Sequence, residues 1–219
     1  MKERPIIFNS EMVKAILDGR KTQTRRVMKS QPRPSESRLG DYWFPCKKME
    51  TMVHVSEFNP ATSRYPDSQD VFSECCPFGA IGDRLWVRET FALGLCTEST
   101  LAYNATHKPE DLEDGWFEKI KWTPSIHMPR WASRINLEIT NVRVERLNAI
   151  SEEDALAEGC KALEGCKWHT FEEAKCGTPM HNHTAKDAFS ALWQSIYGEE
   201  NWSSNPWVWV VEFKQGGAT

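Results

Sequence analysis

The segment GRKTQTRR, residues 19–26, concentrates side chains that could do chemistry. It holds four cationic residues and two threonines in a chain whose net charge is −4. A lysine can act as a base where burial or a neighbouring cation lowers its pKa. A threonine hydroxyl becomes a nucleophile when a base takes its proton. The segment is therefore a candidate catalytic lysine site, with a solvated basic loop or a phosphate clamp as the alternative interpretations.

The sequence before this segment predicts a strand and then a helix, which place the segment at the end of a helix. Residues 5–8 form a short apolar run typical of a strand, and Asn9 or Ser10 can cap a following helix. Gly19 stands where helices commonly end in a left-handed residue, which makes the segment a helix exit that continues into an extended chain. Lys21 and Thr24 have opposite parity, so a regular strand would direct them to opposite faces. A shared site therefore requires a turn or bulge between them.

The later elements predict a mixed α+β fold. Alternation in RLWVRETF, residues 84–91, and from Ile135 to Ile139 indicates strands, and a phase shift near Asn141 indicates a bulge. Ser151 opens a short acidic helix, SEEDALAEG, which ends at residue 159. A second helix, KDAFSALWQSIYG, precedes a last strand, PWVWVVEFK. This order predicts one domain, residues 1–219, built as a small β-barrel-like sheet decorated with helices.

Three irregular stretches read as insertions in that domain, at about residues 29–81, 94–130 and 160–186. Within the first, DYWFPC and MVHVSEF could form a hairpin.

Composition narrows the functional classes. The net charge of −4 argues against a generic coat for duplex nucleic acid, since such binding depends on neutralising phosphates. No apolar run approaches the roughly 20 residues of a membrane helix, and the N-terminus lacks the features of a signal peptide. These observations favour a cytoplasmic protein with no membrane partner. The seven cysteines fit reduced thiols better than a disulfide framework.

Together, GRKTQTRR, GDRLWV and WVWVVEFK resemble the ASCH family, a branch of the PUA-like fold. The family places a Gly-x-Lys-Thr-x-Thr-x-Arg pattern after a helix, a Gly-Asp turn before a core strand, and a similar closing strand. The acidic helix SEEDALAEG also falls where the family has one. The resemblance covers about half the chain as a discontinuous core, and the whole chain is similar to longer ASCH proteins of phages and prophages.

The resemblance implies a reaction and a site. Small bacterial members hydrolyse N4-acetylcytidine to cytidine and acetate, using a lysine, a threonine and a glutamate. Matched by position, these are Lys21, Thr24 and Glu158. We hypothesise that Lys21 is the base, Thr24 the nucleophile or a water-orienting group, and Glu158 a proton relay.

Other residues are candidates for substrate binding. The arginines of the segment either tune Lys21 or hold a phosphate: Arg20, Arg25 and Arg26. Glu89 could line the same cavity, or could simply pair with Arg88 or Arg84. Trp86, Trp131 and Trp207 could stack a base, although core packing is the commoner role of tryptophan.

Several alternatives stay open. PUA-like domains generally bind RNA or modified bases, so a non-catalytic binder of RNA or modified nucleic acid is the second hypothesis, and a ribonuclease is a weaker third because His127 alone supports it. The expected partner is a modified nucleoside or single-stranded RNA, and no cofactor is expected.

Two sets of cysteine and histidine could hold zinc, but neither has the paired spacing of a closed site. They are Cys46, His54, Cys75 and Cys76, and Cys160, Cys166, His169, Cys176, His181 and His183.

Overall fold

A computed structural model of the chain describes residues 1–94, 100–108, 120–163, 166–169 and 184–216. The strands within these ranges are β1 (Glu3–Ile7), β2 (Gln23–Val27), β3 (Arg33–Pro34), β4 (Tyr42–Cys46), β5 (Thr51–His54), β6 (Arg84–Arg88), β7 (Phe91–Leu93), β8 (Leu101–Tyr103), β9 (Asn136–Arg146), β10 (Lys161–Leu163), β11 (Cys166–His169) and β12 (Trp207–Gln215). The α-helices are α1 (Ser10–Leu17), α2 (Gln69–Ser73), α3 (Glu152–Ala157), α4 (Ala185–Tyr197) and α5 (Glu199–Ser203). Short 3-10 helices lie at Val55–Phe58, Pro66–Ser68, Ser125–His127, Arg130–Ala132 and Leu147–Ala149. The mixed α+β class predicted from the sequence is confirmed.

The main sheet has five strands in the order β1-β6-β9-β12-β2. Strands β1 and β6 are parallel, and the other neighbours are antiparallel. The bulge predicted in the long strand is present: Glu212 of β12 lies opposite Asn141, and Phe213 lies opposite Ile139. Thr140 is therefore the extra residue of β9. Because of this extra residue, the side chain of Val142, rather than that of Asn141, points into the core.

The two edge strands of this sheet approach each other. Residues 8–22, which include the eight residues of helix α1, connect β1 to β2. A flat sheet of five strands would place its edges about 19 Å apart, so a contact between a side chain of one edge strand and the backbone of the other requires the sheet to curl. The Arg26 guanidinium donates a hydrogen bond of 2.8 Å to the Ile7 carbonyl at the other edge. In the described residues no backbone ladder joins β1 to β2, so backbone pairing does not close a barrel.

Strand β12 is buried on both faces, which separates two parts of the core. Trp209, Val211 and Phe213 pack in one cluster with residues of α1 and of the three-stranded sheet β3-β4-β5. Val208 and Val210, which point the other way, pack in a second cluster beneath α3 and α4. The main sheet is therefore the middle layer of the fold.

The first irregular stretch contains regular structure. Strands β4 and β5 pair as an antiparallel hairpin, as predicted from DYWFPC and MVHVSEF. The rings of Phe44 and Phe58 meet the Trp209 ring edge-on, with centroids 5.5 Å and 5.4 Å away. These contacts hold this part of the chain against the main sheet. Much of the other two stretches, residues 95–99, 109–119, 164–165 and 170–183, lies outside the described residues.

Candidate functional site

The exit of helix α1 positions the GRKTQTRR segment. The Asn9 side chain caps the helix start by accepting from the Met12 amide at 2.8 Å. At the other end Gly19 has a φ of +73°, a left-handed conformation that favours glycine. The amides of Gly19 and Arg20 donate to the carbonyls of Ile16 and Ala15, both at 2.9 Å. This pair of hydrogen bonds is a Schellman motif, which ends the helix and redirects the chain.

Lys21 and Thr24 reach one site because Lys21 precedes the strand. Strand β2 begins at Gln23, and the Lys21 amide still donates to the last turn of α1, at 2.9 Å from the Ala15 carbonyl. The alternation rule of a strand therefore does not apply between Lys21 and Thr24. Both residues are 2% exposed; Lys21 contacts Glu158, and Thr24 lines a cavity together with Glu158. The end of helix α1 therefore supplies the turn that a shared site for Lys21 and Thr24 requires.

A buried ion pair joins Lys21 to Glu158. The Lys21 Nζ lies 2.6 Å from Glu158 Oε2 and also donates to the Glu158 backbone carbonyl at 3.1 Å. The other carboxylate oxygen, Oε1, accepts from Arg25 Nη1 at 3.2 Å. The side chains of Lys21 and Arg25 are 0% exposed, and that of Glu158 is 4% exposed. The Glu158 carboxylate therefore contacts both Lys21 and Arg25 where water does not reach.

Helix α3 brings Glu158 to this position. The Ser151 hydroxyl accepts from the Asp154 amide at 3.1 Å and caps the helix start. Glu158 is the C-cap residue, followed by Gly159 with a φ of +99°. A carboxylate at a helix C-terminus faces the negative end of the helix dipole. Two cationic partners offset that unfavourable position.

The ionic network extends beyond the residues predicted from the sequence. Arg25 Nη2 also contacts Asp154 at 2.8 Å and Glu145 at 3.1 Å. Arg143 Nη2 binds the same Asp154 carboxylate at 2.8 Å and 2.9 Å, and Arg143 Nε donates to Glu145 at 2.5 Å. Burial acts to raise the pKa of Asp154, but the charges and hydrogen bonds of Arg143 and Arg25 together lower it. The second arginine and its carboxylates therefore fix the orientation of Arg25.

Sequence reasoning missed these supporting residues. On β9, Arg143 and Glu145 alternate with two buried valines and so share a face. Arg143 and Arg25 both lie opposite Val210 of β12, one on each side. The alternation is visible in the sequence, but the strand order that makes β9 and β2 flank β12 is not.

Burial governs the protonation of Lys21. Burial lowers the pKa of Lys21, while the adjacent Glu158 carboxylate raises it, and the lowering effect prevails. The sequence hypothesis attributed the lowering to the neighbouring arginines. Among them Arg26 contributes, by a smaller amount than burial. Burial, rather than the clustering of positive charge, is thus the main cause of the lowered pKa of Lys21.

A small cavity lies between β2 and α4. Its volume is about 20 Å³, which is enough for about one water molecule. Thr24, Arg25, Arg26 and Glu158 line one side. The other side consists mainly of apolar and aromatic side chains of α4: Phe189, Leu192, Trp193, Ile196 and Tyr197. The sequence predicted the apolar face of this helix as core, and the structure makes the same face a cavity wall.

The remaining arginines of the segment differ in their surroundings. Arg20 is at the rim, where it binds the Gly159 carbonyl at 2.7 Å and Asp18 at 2.8 Å. Arg26 lies over the Phe8 ring, with 5.4 Å between the guanidinium carbon and the ring centroid. The Nε atoms of Arg25 and Arg26 are buried and have no hydrogen-bond acceptor in the described part of the chain.

Glu89 and Trp86 do not line this cavity, contrary to the prediction for them. Glu89 forms a two-pronged ion pair with Arg134, both contacts being 2.9 Å, rather than with Arg88 or Arg84. The Arg134 guanidinium also lies 4.0 Å from the centroid of the Tyr103 ring. The guanidinium carbon of Arg88 lies over the Trp86 ring, 5.4 Å from the ring centroid. These residues form a separate structural cluster.

The other two tryptophans also lie outside the cavity wall. Trp207 is 8% exposed and packs on Tyr42, with 5.0 Å between ring centroids, whereas Trp131 is 66% exposed. Core packing therefore accounts for Trp207.

The described residues hold no group of three or more His, Cys, Asp or Glu side chains that could bind a metal ion. The first set considered for zinc is therefore not assembled as a metal site, and Cys176, His181 and His183 of the second lie outside the described residues. Nor does any helix in the described ranges have the length and apolarity to span a membrane. No protein-family model, curated protein or solved structure matches the chain.

Proposed function

We propose that this chain hydrolyses the amide of an N4-acylated cytosine nucleoside, with N4-acetylcytidine as the first candidate, and that it is an ASCH protein of PUA-like fold. The observation that carries the proposal is the buried Lys21–Glu158 pair beside a cavity lined by Thr24. A general base needs a pKa lowered towards neutrality and a position beside the group that it deprotonates, and a buried group with a perturbed pKa beside a cavity is a candidate for that role.

The first step requires a neutral Lys21. The short contact to Glu158 gives the proton a place to go, since transfer from Nζ to the carboxylate leaves an amine and a carboxylic acid. The amine then takes the hydroxyl proton of Thr24 as its Oγ1 bonds to the acyl carbon. Among the described residues Thr24 makes no hydrogen bond to Lys21, so this contact forms on substrate binding, as catalytic hydrogen bonds often do.

The leaving amine takes its proton from Glu158. As the bond between the acyl carbon and N4 breaks, the Glu158 acid protonates N4 and becomes a carboxylate, while Lys21 is now an ammonium. Water then hydrolyses the acyl-threonine ester, Glu158 accepting a proton from water and Lys21 returning one to the Thr24 oxygen. In the variant of this mechanism where Thr24 only orients water, Lys21 takes the proton from that water directly.

Two arginines supply donors for the oxyanion. Buried donors without acceptors are rare in folded proteins, and here the Nε groups of Arg25 and Arg26 belong to residues that line the cavity. A tetrahedral oxyanion in the cavity would give them an acceptor. Donors held in place by Asp154 and Ile7 require little rearrangement during the reaction.

Substrate binding requires the cavity to widen. Small-molecule sites usually measure about 300 Å³ or more, and this cavity is about 20 Å³. The wall contributed by α4 is the movable side, because the opposite wall is a strand of the main sheet. Trp193 and Tyr197, once displaced, present aromatic faces on which a cytosine ring could stack.

The test is the release of cytidine from N4-acetylcytidine and from a panel of modified nucleosides, followed by chromatography. We expect Lys21→Met to abolish turnover and Thr24→Val to lower kcat by about 10²-fold to 10⁴-fold. Thr22→Val is the matched control, because Thr22 lies in the same segment with an exposed side chain. It should retain wild-type turnover.

Two outcomes would overturn the proposal. Turnover that persists in Lys21→Met would remove the base. An absence of turnover across the panel, combined with oligonucleotide binding that weakens steeply with salt, would identify a nucleic-acid binder instead. A trapped acyl-threonine, detected by mass spectrometry as an acetyl adduct at Thr24, would distinguish nucleophilic attack from water orientation.

A further inference from the structure

Three sulfur side chains converge at the end of the β4–β5 hairpin, away from Lys21 and Glu158. Cys46 is the last residue of β4, Met49 lies in the turn of the hairpin, and Cys75 follows α2. The Cys75 thiol lies 3.3 Å from the Met49 sulfur, to which it donates. Cys46 belongs to the core cluster against which Met49 and Cys75 pack, and it is near enough to Cys75 to raise the pKa of its thiol. Two elements distant in sequence thus bring two thiols and a thioether together.

The cluster is rigid on one side and accessible on the other. Cys46 is a member of the main core, 5% exposed, and Met49 and Cys75 are partly buried against that core. Met49 also lines a surface cavity of about 250 Å³, together with Lys48 and Glu74. This cavity gives a small ion access to Met49, and Cys75 is itself only partly buried.

We propose that Cys46, Met49 and Cys75 form a binding site for a soft monovalent metal ion, Cu(I) being the physiological candidate. Thiolate and thioether sulfur together select such ions, whereas zinc prefers thiolate and imidazole and rarely accepts a thioether. The donor set also fits the absence, within the described residues, of a third His, Cys, Asp or Glu at this place. Three sulfur donors suffice for the low coordination numbers of Cu(I).

Binding requires the two thiols to lose their protons. Burial raises the pKa of Cys75, and the contact with Cys46 raises it further, so Cys75 is protonated in the metal-free protein at neutral pH. Two S–H bonds break, three Cu–S bonds form (two to thiolates and one to the Met49 thioether), two protons leave, and the metal remains Cu(I). The two thiolates and the ion carry a net charge of −1, and Lys48, the cation that acts on Cys75, is itself paired with Glu74. Because binding releases protons, affinity should be higher at higher pH.

The test uses the full-length protein and Cu(I) under anaerobic conditions, in competition with a chromophoric Cu(I) chelator. We expect one tight equivalent, lost in Cys75→Ser and weakened about 10-fold or more in Met49→Leu. Met49→Leu conserves volume at a partly exposed position and so keeps the fold. The matched control is Cys76→Ser, which changes the neighbouring buried thiol and should bind as the wild type does.

Alkylation mapping identifies the sulfur atoms used. One equivalent of Cu(I) or of redox-inert Ag(I) should protect Cys75 from iodoacetamide. The proposal fails if Met49→Leu binds as tightly as wild type, if the metal protects other cysteines instead, or if oxidation joins Cys46 to Cys75 while Cu(I) does not compete with the chelator.

Discussion

Replacing Glu158 with glutamine should destabilise the protein by about 3–5 kcal/mol at pH 7. Removing one partner of a buried ion pair costs that much because the other charge is left uncompensated. Arg25 would keep Asp154 and Glu145, so Lys21 bears most of the loss. Its side chain is 0% exposed and would keep the Glu158 backbone carbonyl as its acceptor.

Deprotonation of Lys21 limits the cost. A buried lysine can become neutral instead of remaining charged, at about 1.4 kcal/mol per pH unit below its ordinary pKa. With an ordinary pKa of 10.5, the ceiling at pH 7 is about 5 kcal/mol, and at pH 9 it is about 2 kcal/mol. The penalty should therefore shrink as the pH rises.

The sign of this dependence follows from proton binding. Glu158 raises the pKa of Lys21 in the native protein, so in Glu158→Gln the pKa falls further below 10.5. Over that range the unfolded variant holds a proton that the folded variant has lost, and the stability of the variant rises with pH. The wild type shows the same rise only from a higher pH, so the difference between the two proteins narrows.

Urea unfolding followed by tryptophan fluorescence at pH 7 and pH 9 measures both effects. Glu145→Gln is the matched control, because Glu145 also contacts Arg25 but its side chain is 25% exposed. We expect it to cost about 1 kcal/mol or less, with no such narrowing at pH 9. A Glu158→Gln penalty no larger than that of Glu145→Gln, or one that is equal at both pH values, would refute the argument.

Two further predictions concern stability. Gly19→Ala should lower the free energy of unfolding by about 1–2 kcal/mol, because Gly19 has a φ of +73°; thermal unfolding measures this, and an unchanged midpoint would contradict the helix-exit geometry. The lowered pKa of Glu57 reflects hydrogen bonds from Ser63 and Arg38 and the Arg38 charge, which outweigh the raising effect of burial. The free energy of unfolding should therefore fall as the pH drops below about 4.5. Glu57→Gln should flatten that part of its pH profile. An unaltered slope in the variant would contradict the prediction.

The sequence by itself determined the local features of this protein. Asn9, Gly19, Ser151 and Gly159 marked helix ends correctly, because capping depends on residues within one turn. The alternation of β6 and β9 was also predicted, since side-chain direction in a strand follows a period of two, and the bulge predicted near Asn141 lies at Thr140. Glu158, which was matched through the resemblance, contacts Lys21, although the catalytic role of the pair stays a prediction.

Only the tertiary structure decided which distant groups meet. Lys21 and Glu158 are 137 positions apart, and Arg25 reaches Asp154 only because β2 lies at the sheet edge beside β12. Glu89 paired with Arg134 instead of its sequence neighbours, because a bidentate contact across the fold satisfied both carboxylate oxygens. The charge of a residue and its place in a periodic pattern indicate which interactions it can make. Strand order and burial determine which partner it has and whether water screens the pair. The basic segment of an acidic chain is for that reason a buried ion-pair site rather than a solvated loop.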